Sequence, residues 1–149
     1  MSEEELLINI DGASLGNPGA AGIGLIIRDK RGKTLRKISE PIGIATNNTA
    51  EYTALIRALE EAHKLREPAQ TKLLIRTDSE LLQRQFTGQY RVKSESLKPL
   101  FLKAISLAKR FSEVVVVHVP REKNQKADKL ASSAAIKQSN ETINVQSEL

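Results

Sequence analysis

Four carboxylates in this chain stand where an element of secondary structure begins or ends. Asp11 closes an apolar alternation, Glu51 sits in the first turn of a helical segment, Asp78 ends a short apolar run, and Asp128 lies in the first turn of the last helical segment. Each alone is an ordinary turn or helix-terminus residue, held by capping or by the positive end of a helix dipole. Jointly they are harder to explain, because carboxylates brought within a few ångströms cannot all stay ionised unless a cation neutralises them. The chain has no cysteine and no convergent pair of histidines. Oxygen-only ligation selects Mg²⁺ or Mn²⁺. Two such ions about 4 Å apart clamp an in-line phosphodiester displacement, one activating water and the other stabilising the leaving oxygen.

The elements that must position these groups follow from hydrophobic period. Leu6 to Asp11 alternates, and Leu15-Gly16-Asn17-Pro18-Gly19 reads as a reversal; Gly22 to Arg28 and Thr34 to Ile42 are two further strands joined at Lys30-Arg31-Gly32. From Asn47 the period turns helical, with Leu55, Leu59, Ala62 and Leu65 on one face and Pro68 closing the segment. Lys72 to Thr77 is a strand, a short helix runs to about Phe86, and Ser96 to Phe111 is an amphipathic helix. Val114 to Val119 is a β-branched run expected to be buried on both faces, and the last helix spans Asn124 to about Ile136. The order βββαβααβα predicts an α/β domain with a five-stranded mixed sheet flanked by helices. Asp11 and Asp78 then converge if their strands are parallel neighbours, and Glu51, four residues before Leu55, faces the sheet.

With 149 residues the chain fits one domain, expected over residues 1–136, followed by a loose polar tail over 137–149. The absence of cysteine disfavours a disulfide scaffold. No apolar run approaches the roughly 20 residues of a membrane helix, and the start at Met1-Ser2-Glu3-Glu4-Glu5 is acidic. These features predict a soluble cytoplasmic monomer with no membrane partner. A net charge of +5 decides little alone, but beside an acidic cluster it suits a polyanionic substrate. With 3% aromatic residues and no Trp, base stacking is a poor route to affinity.

Four segments containing the carboxylates resemble type 1 ribonuclease H. They are Asn9-Ile10-Asp11-Gly12-Ala13-Ser14-Leu15-Gly16-Asn17-Pro18-Gly19, Thr46-Asn47-Asn48-Thr49-Ala50-Glu51, Thr77-Asp78-Ser79, and Asn124-Gln125-Lys126-Ala127-Asp128-Lys129-Leu130-Ala131. The likeness runs from about Leu6 to Ala135, and its strength is the order of the four segments at element boundaries. It implies a ribonuclease H-like fold and an endonuclease that cuts the RNA strand of RNA/DNA hybrids with two metal ions, leaving 3′-hydroxyl and 5′-phosphate ends. Asp11, Glu51, Asp78 and Asp128 would then be the metal-binding catalytic residues. The same likeness gives substrate contacts to Gly12, Ala13, Ser14 and Gly16, through main chain that approaches 2′-hydroxyls, and to Asn17, Thr46, Asn47 and Asn48. One of Thr46, Asn47 and Asn48 must also cap the helix.

The chain departs from that pattern in two places. Many family members carry a loop histidine before the last carboxylate, whereas this chain reads Pro120-Arg121-Glu122-Lys123-Asn124. Arg121 is the substitute, as in the compact archaeal-like branch, and its role would be electrostatic because Arg keeps its proton. His118 reads as a sheet-surface residue and His63 as exposed. The basic handle of longer members is absent from Gly88 to Pro99, where Arg91, Lys93 and Lys98 are the remaining cations. A weaker grip on the DNA strand extends the expected substrates to double-stranded RNA. The alternative function is a non-catalytic module binding hybrid or RNA duplex.

Overall fold

A computed structural model of the chain describes residues 4–147, with side chains through Asn144. Three antiparallel strands come first: β1 (Glu4–Gly16), β2 (Gly19–Asp29) and β3 (Thr34–Ala45). They are followed by α1 (Asn47–Leu65), β4 (Thr71–Thr77), α2 (Glu80–Phe86), α3 (Lys98–Ala108), β5 (Glu113–His118) and α4 (Gln125–Ser147), the expected order. The sheet runs β3-β2-β1-β4-β5, with β4 parallel to both β1 and β5. Parallel pairing needs a crossover, and α1 supplies it between the meander and β4.

Alternation along the strands separates two faces. Leu6, Ile8, Ile10, Ile23, Leu25, Ile27, Leu73 and Ile75 form a core with Tyr52, Leu55 and Leu59 of α1, and Ala104 of α3 closes it. Each fully buried Leu or Ile contributes about 1.5–3 kcal/mol to holding α1 there. The opposite face receives α4, and here the packing is by small residues. A Cβ on Gly22 would lie 2.4 Å from Ala134 Cβ, and one on Gly24 2.3 Å from the Ala127 carbonyl oxygen. Ala127, Ala131, Ala134 and Ala135 are all buried. The helix backbone therefore rests almost on the backbone of β2.

Two expectations are corrected. Val114 to Val119 is not a strand buried on both faces: β5 is an edge strand, and of its valines Val116 alone is buried. Among the described residues β5 pairs with β4 alone, so the apolar run is only half covered. The loose tail expected from Lys137 is instead a continuation of α4 to Ser147. Gln138 Oε1 accepts from the Gly43 amide at 3.0 Å, and the Gln138 amide donates to Thr142 Oγ1 at 3.2 Å, which extends the helix beyond the end of its apolar face. No described helix is long and apolar enough to cross a membrane.

The close seat of α4 is testable through Gly24→Ala. The added methyl meets backbone at Ala127 and Ala131, which cannot rotate away, so the variant should lose about 1–3 kcal/mol. Urea unfolding with an unchanged m-value would register this as a lower midpoint. A variant as stable as the parent would contradict the packing described.

Candidate active site

The length of β1 creates the site. It pairs with β2 from Leu6 to Gly16 but with β4 only as far as Asn9 opposite Arg76, so its last residues project beyond the end of β4. Carrying that register two residues further sets Asp11 beside Asp78, just after β4 ends at Thr77. Glu51 enters this gap from α1. The helix can come close enough because Gly12 has no side chain: a Cβ there would lie 2.3–2.5 Å from backbone atoms of Ala50 and Glu51. The Gly12 amide donates to Glu51 Oε1 at 2.8 Å, and Thr77 Oγ1 stands 3.5 Å from Glu51 Oε2, a weak contact.

Asp11, Glu51 and Asp78 each present a carboxylate oxygen within 4.8 Å of the others. Asp11 is 4% exposed and Glu51 8%. Among the described residues no cation forms an ion pair with any of the three. Burial, then the charges of Glu51 and Asp78, push the Asp11 carboxyl up to about 10. Burial likewise raises Glu51, to about 7, against the opposing hydrogen bond from Gly12. The donor set is all oxygen, compact and uncompensated, which fits a divalent cation.

Asp128 stands outside this trio, yet its side chain reaches that of Asp11. It is held by a latch. Asn124 is 2% exposed; its side chain donates to the Ile10 carbonyl at 2.8 Å and accepts from the Asn9 amide at 3.0 Å. Its own carbonyl accepts the Asp128 amide at 3.0 Å, so α4 begins against β1 one residue before Asp11. Arg121 Nη2 lies 3.6 Å from Asp128 Oδ1, and with its side chain 78% exposed that pair adds little stability. Arg121 borders the cluster at Asp128 and makes no ion pair with the trio.

The expected substrate residues line the rim at the start of α1. Thr46 is the helix cap: its hydroxyl accepts from the Thr49 amide at 3.1 Å. Asn17 Oδ1 accepts from the Asn47 amide at 3.0 Å, tying the β1–β2 turn to the helix, while Asn47 and Asn48 are exposed. Ser14 donates to the Ala45 carbonyl at 2.8 Å and also touches the Gly16 carbonyl. Ala13 lies in the projecting part of β1, and Gly16 has a positive φ that suits glycine at the turn. The missing side chain at Gly12 is required by the close approach of α1. His118 ends β5 as an exposed residue beside Thr77, and His63 is exposed on α1.

Three features of the site escaped the sequence reading: the Asn9–Asn124 latch, the Gly22 and Gly24 seat, and the Thr77 contact. The first two leave a trace, in the four-residue spacing of Asn124 and Asp128 and in alternate glycines of β2 facing alanines at 127, 131, 134 and 135. A larger cavity, about 670 Å³ and lined by His63, Lys64, Arg66 and Arg110, lies at the far end of α1 and lacks a carboxylate cluster.

A five-stranded mixed sheet with an acidic, oxygen-only cluster where β1 outruns β4 defines the class: an α/β protein with a candidate cation site at the sheet's edge. The profile of the reverse transcriptase-like family matches residues 9–134. The chain is similar to a solved LC11-RNase H1 isolated from compost, at 45% identity over 89% of this chain and 96% of that one, TM-score 0.84. It is also similar to the solved RNase H1 of Halobacterium salinarum, at 36% identity over 89% of this chain and 98% of that one, TM-score 0.84. A bifunctional protein of Mycobacterium tuberculosis is 39% identical over 87% of this chain, which spans only 35% of that relative's length. The chain belongs to the ribonuclease H family, and its solved relatives place it with type 1. LC11-RNase H1 has also been solved in complex with an RNA/DNA hybrid.

The shifted carboxyls set a pH dependence. Asp11 ionises near 3.8 in the unfolded chain and near 10 in the cation-free fold, so between these values the unfolded state binds fewer protons and stability falls as pH rises. Asp11→Asn should therefore raise the Tm of the metal-free protein near pH 8 and flatten its pH dependence. Added Mg²⁺ should raise the parent's Tm more than the variant's. A variant that melts lower, with the parent's pH profile, would contradict this electrostatic reading.

Proposed function

We propose that the chain is an endoribonuclease that hydrolyses the RNA strand of RNA/DNA hybrids, leaving 5′-phosphate and 3′-hydroxyl ends. The observation that carries the reading is the uncompensated trio of Asp11, Glu51 and Asp78 with Asp128 at its side. The relatives named ribonuclease H and the hybrid complex of LC11-RNase H1 support the choice of substrate.

Asp11, Glu51, Asp78 and Asp128 would hold two divalent ions, Mg²⁺ with Mn²⁺ as substitute. When bound, these supply Lewis acidity and lower the pKa of the attacking water. The protein's own contribution is positional. Gly12 fixes Glu51 through its amide, the Asn124 latch sets Asp128 against Asp11, and the two carboxyls of highest proton affinity must release their protons before they can ligate. Arg121 adds positive charge beside Asp128, offsetting repulsion of a polyanion. On the other flank, Asn47 and Asn48 stand exposed beside Asn17 and Thr46, where the hybrid backbone would cross. Ala13, Ser14 and Gly16 would line the RNA side, where 2′-hydroxyls distinguish RNA from DNA. The lack of a basic handle extends the substrate range to double-stranded RNA. Every proposed part lies within one chain, which suits a monomer acting in the cytoplasm.

Incubation with end-labelled hybrid, RNA duplex and DNA duplex of one sequence tests this. Hybrid should be cut in Mg²⁺ and in Mn²⁺, RNA duplex more slowly, DNA duplex not at all, and EDTA should stop all cutting. Asp78→Asn and Glu51→Gln should fall to background while still binding the hybrid. Binding by the parent without cutting in either metal would replace this reading with that of a non-catalytic hybrid module.

A further inference from the structure

A cleft of about 280 Å³ beside the start of α4 shares Asn9 and Asn124 with the latch, but its cations have no part in the chemistry described so far. Arg28 from β2, Asn9 from β1 and Arg76 from β4 contribute to it from three adjacent strands, and Lys123 and Lys126 line it from the turn and the helix. None of these four cations forms an ion pair among the described residues, and Glu122 is the one acid in the lining. Arg28 has a single long contact, 3.5 Å from Nη1 to Asn9 Oδ1. Four like charges around one cleft repel one another and attract an anion, and the arginines offer forked donors suited to phosphate.

The position of the cleft says which phosphate. A second cleft, of about 500 Å³, contains Asp128, Arg121 and Lys129, and shares Glu122 and Gln125 with the first. The two form a positive path leading away from the carboxylates around the N-terminal turn of α4. Asn9 is two residues before Asp11, about 7 Å along the strand, which matches about two nucleotides of axial rise.

We propose that this cleft grips a backbone phosphate of the strand being cut, one or two nucleotides from the scissile linkage, through Arg28, Arg76 and Lys126. This rests on the nuclease reading above and deepens it. The cleft sets which flank of the cut must be intact nucleic acid, and it supplies on the α4 side the positive charge that the absent handle does not supply elsewhere.

The test measures hybrid binding in EDTA by fluorescence anisotropy across a salt series, beside KM and kcat in Mg²⁺. Arg76→Ala/Lys126→Ala should lower the slope of log K against log salt by about 1, as expected for one lost phosphate contact. It should raise KM while leaving kcat near the parent value. Lys64→Ala, at the far end of α1, should change neither. Shortening the hybrid on one side of the cut should weaken the parent to the level of the double variant, and shortening it on the other side should not. A double variant with the parent's slope and KM overturns the cleft and leaves the nuclease reading standing. A parent that neither binds nor cuts hybrid removes both.

Discussion

Oxygens of Asp11, Glu51 and Asp78 lie within 4.8 Å of one another, and two of the three carboxylates are almost shut off from water. Two full charges 4 Å apart repel by about 4 kcal/mol at an effective dielectric of 20. Burial first, and then for Asp11 the charges of Glu51 and Asp78, favour the protonated forms, so Asp11 rises to about 10 and Glu51 to about 7. A divalent cation would favour the opposite outcome, with the same oxygens ionised to ligate it. Proton and cation would then compete for one place.

Holding repelling groups together takes backbone that cannot drift. β1 is paired with β2 from Leu6 to its end, so Asp11 sits on a paired strand although β4 has already ended. Gly12 lets α1 touch that strand and answers Glu51 with a hydrogen bond. On the other face, Gly22 and Gly24 let α4 lie almost on β2, and Asn124 fastens its first turn to the Ile10 carbonyl. Small residues and backbone contacts therefore set the geometry more directly than the large side chains of the core do. Those side chains supply the stability that the cluster lowers.

The element order and the four carboxylates could be read from the sequence because period-2 and helical patterns are strong here and each acid stands at a boundary. The reading failed where the decisive fact was a neighbour. Val114 to Val119 has the composition of a central strand, but its place at the edge depends on there being no sixth strand. The polar stretch after Ile136 has little apolar surface to bury, yet Gln138 finds the Gly43 amide on β3 and α4 continues. At Gly12 the pattern carried no hint that the α1 backbone also requires a glycine there. Asn124 could have been suspected from its fixed spacing to Asp128, but its partners Asn9 and Ile10 are 115 and 114 residues away in sequence.

The most direct test of the competition is a calorimetric titration of Mg²⁺ into the metal-free protein at pH 7, in two buffers of different ionisation enthalpy. Because Asp11 is protonated in the empty cluster and must ionise to ligate, binding should release at least about one proton per site. It should release fewer from Asp11→Asn. Binding with the same heat in both buffers, or no saturable binding at all, would contradict the claim that these carboxylates hold protons only until a cation takes their place.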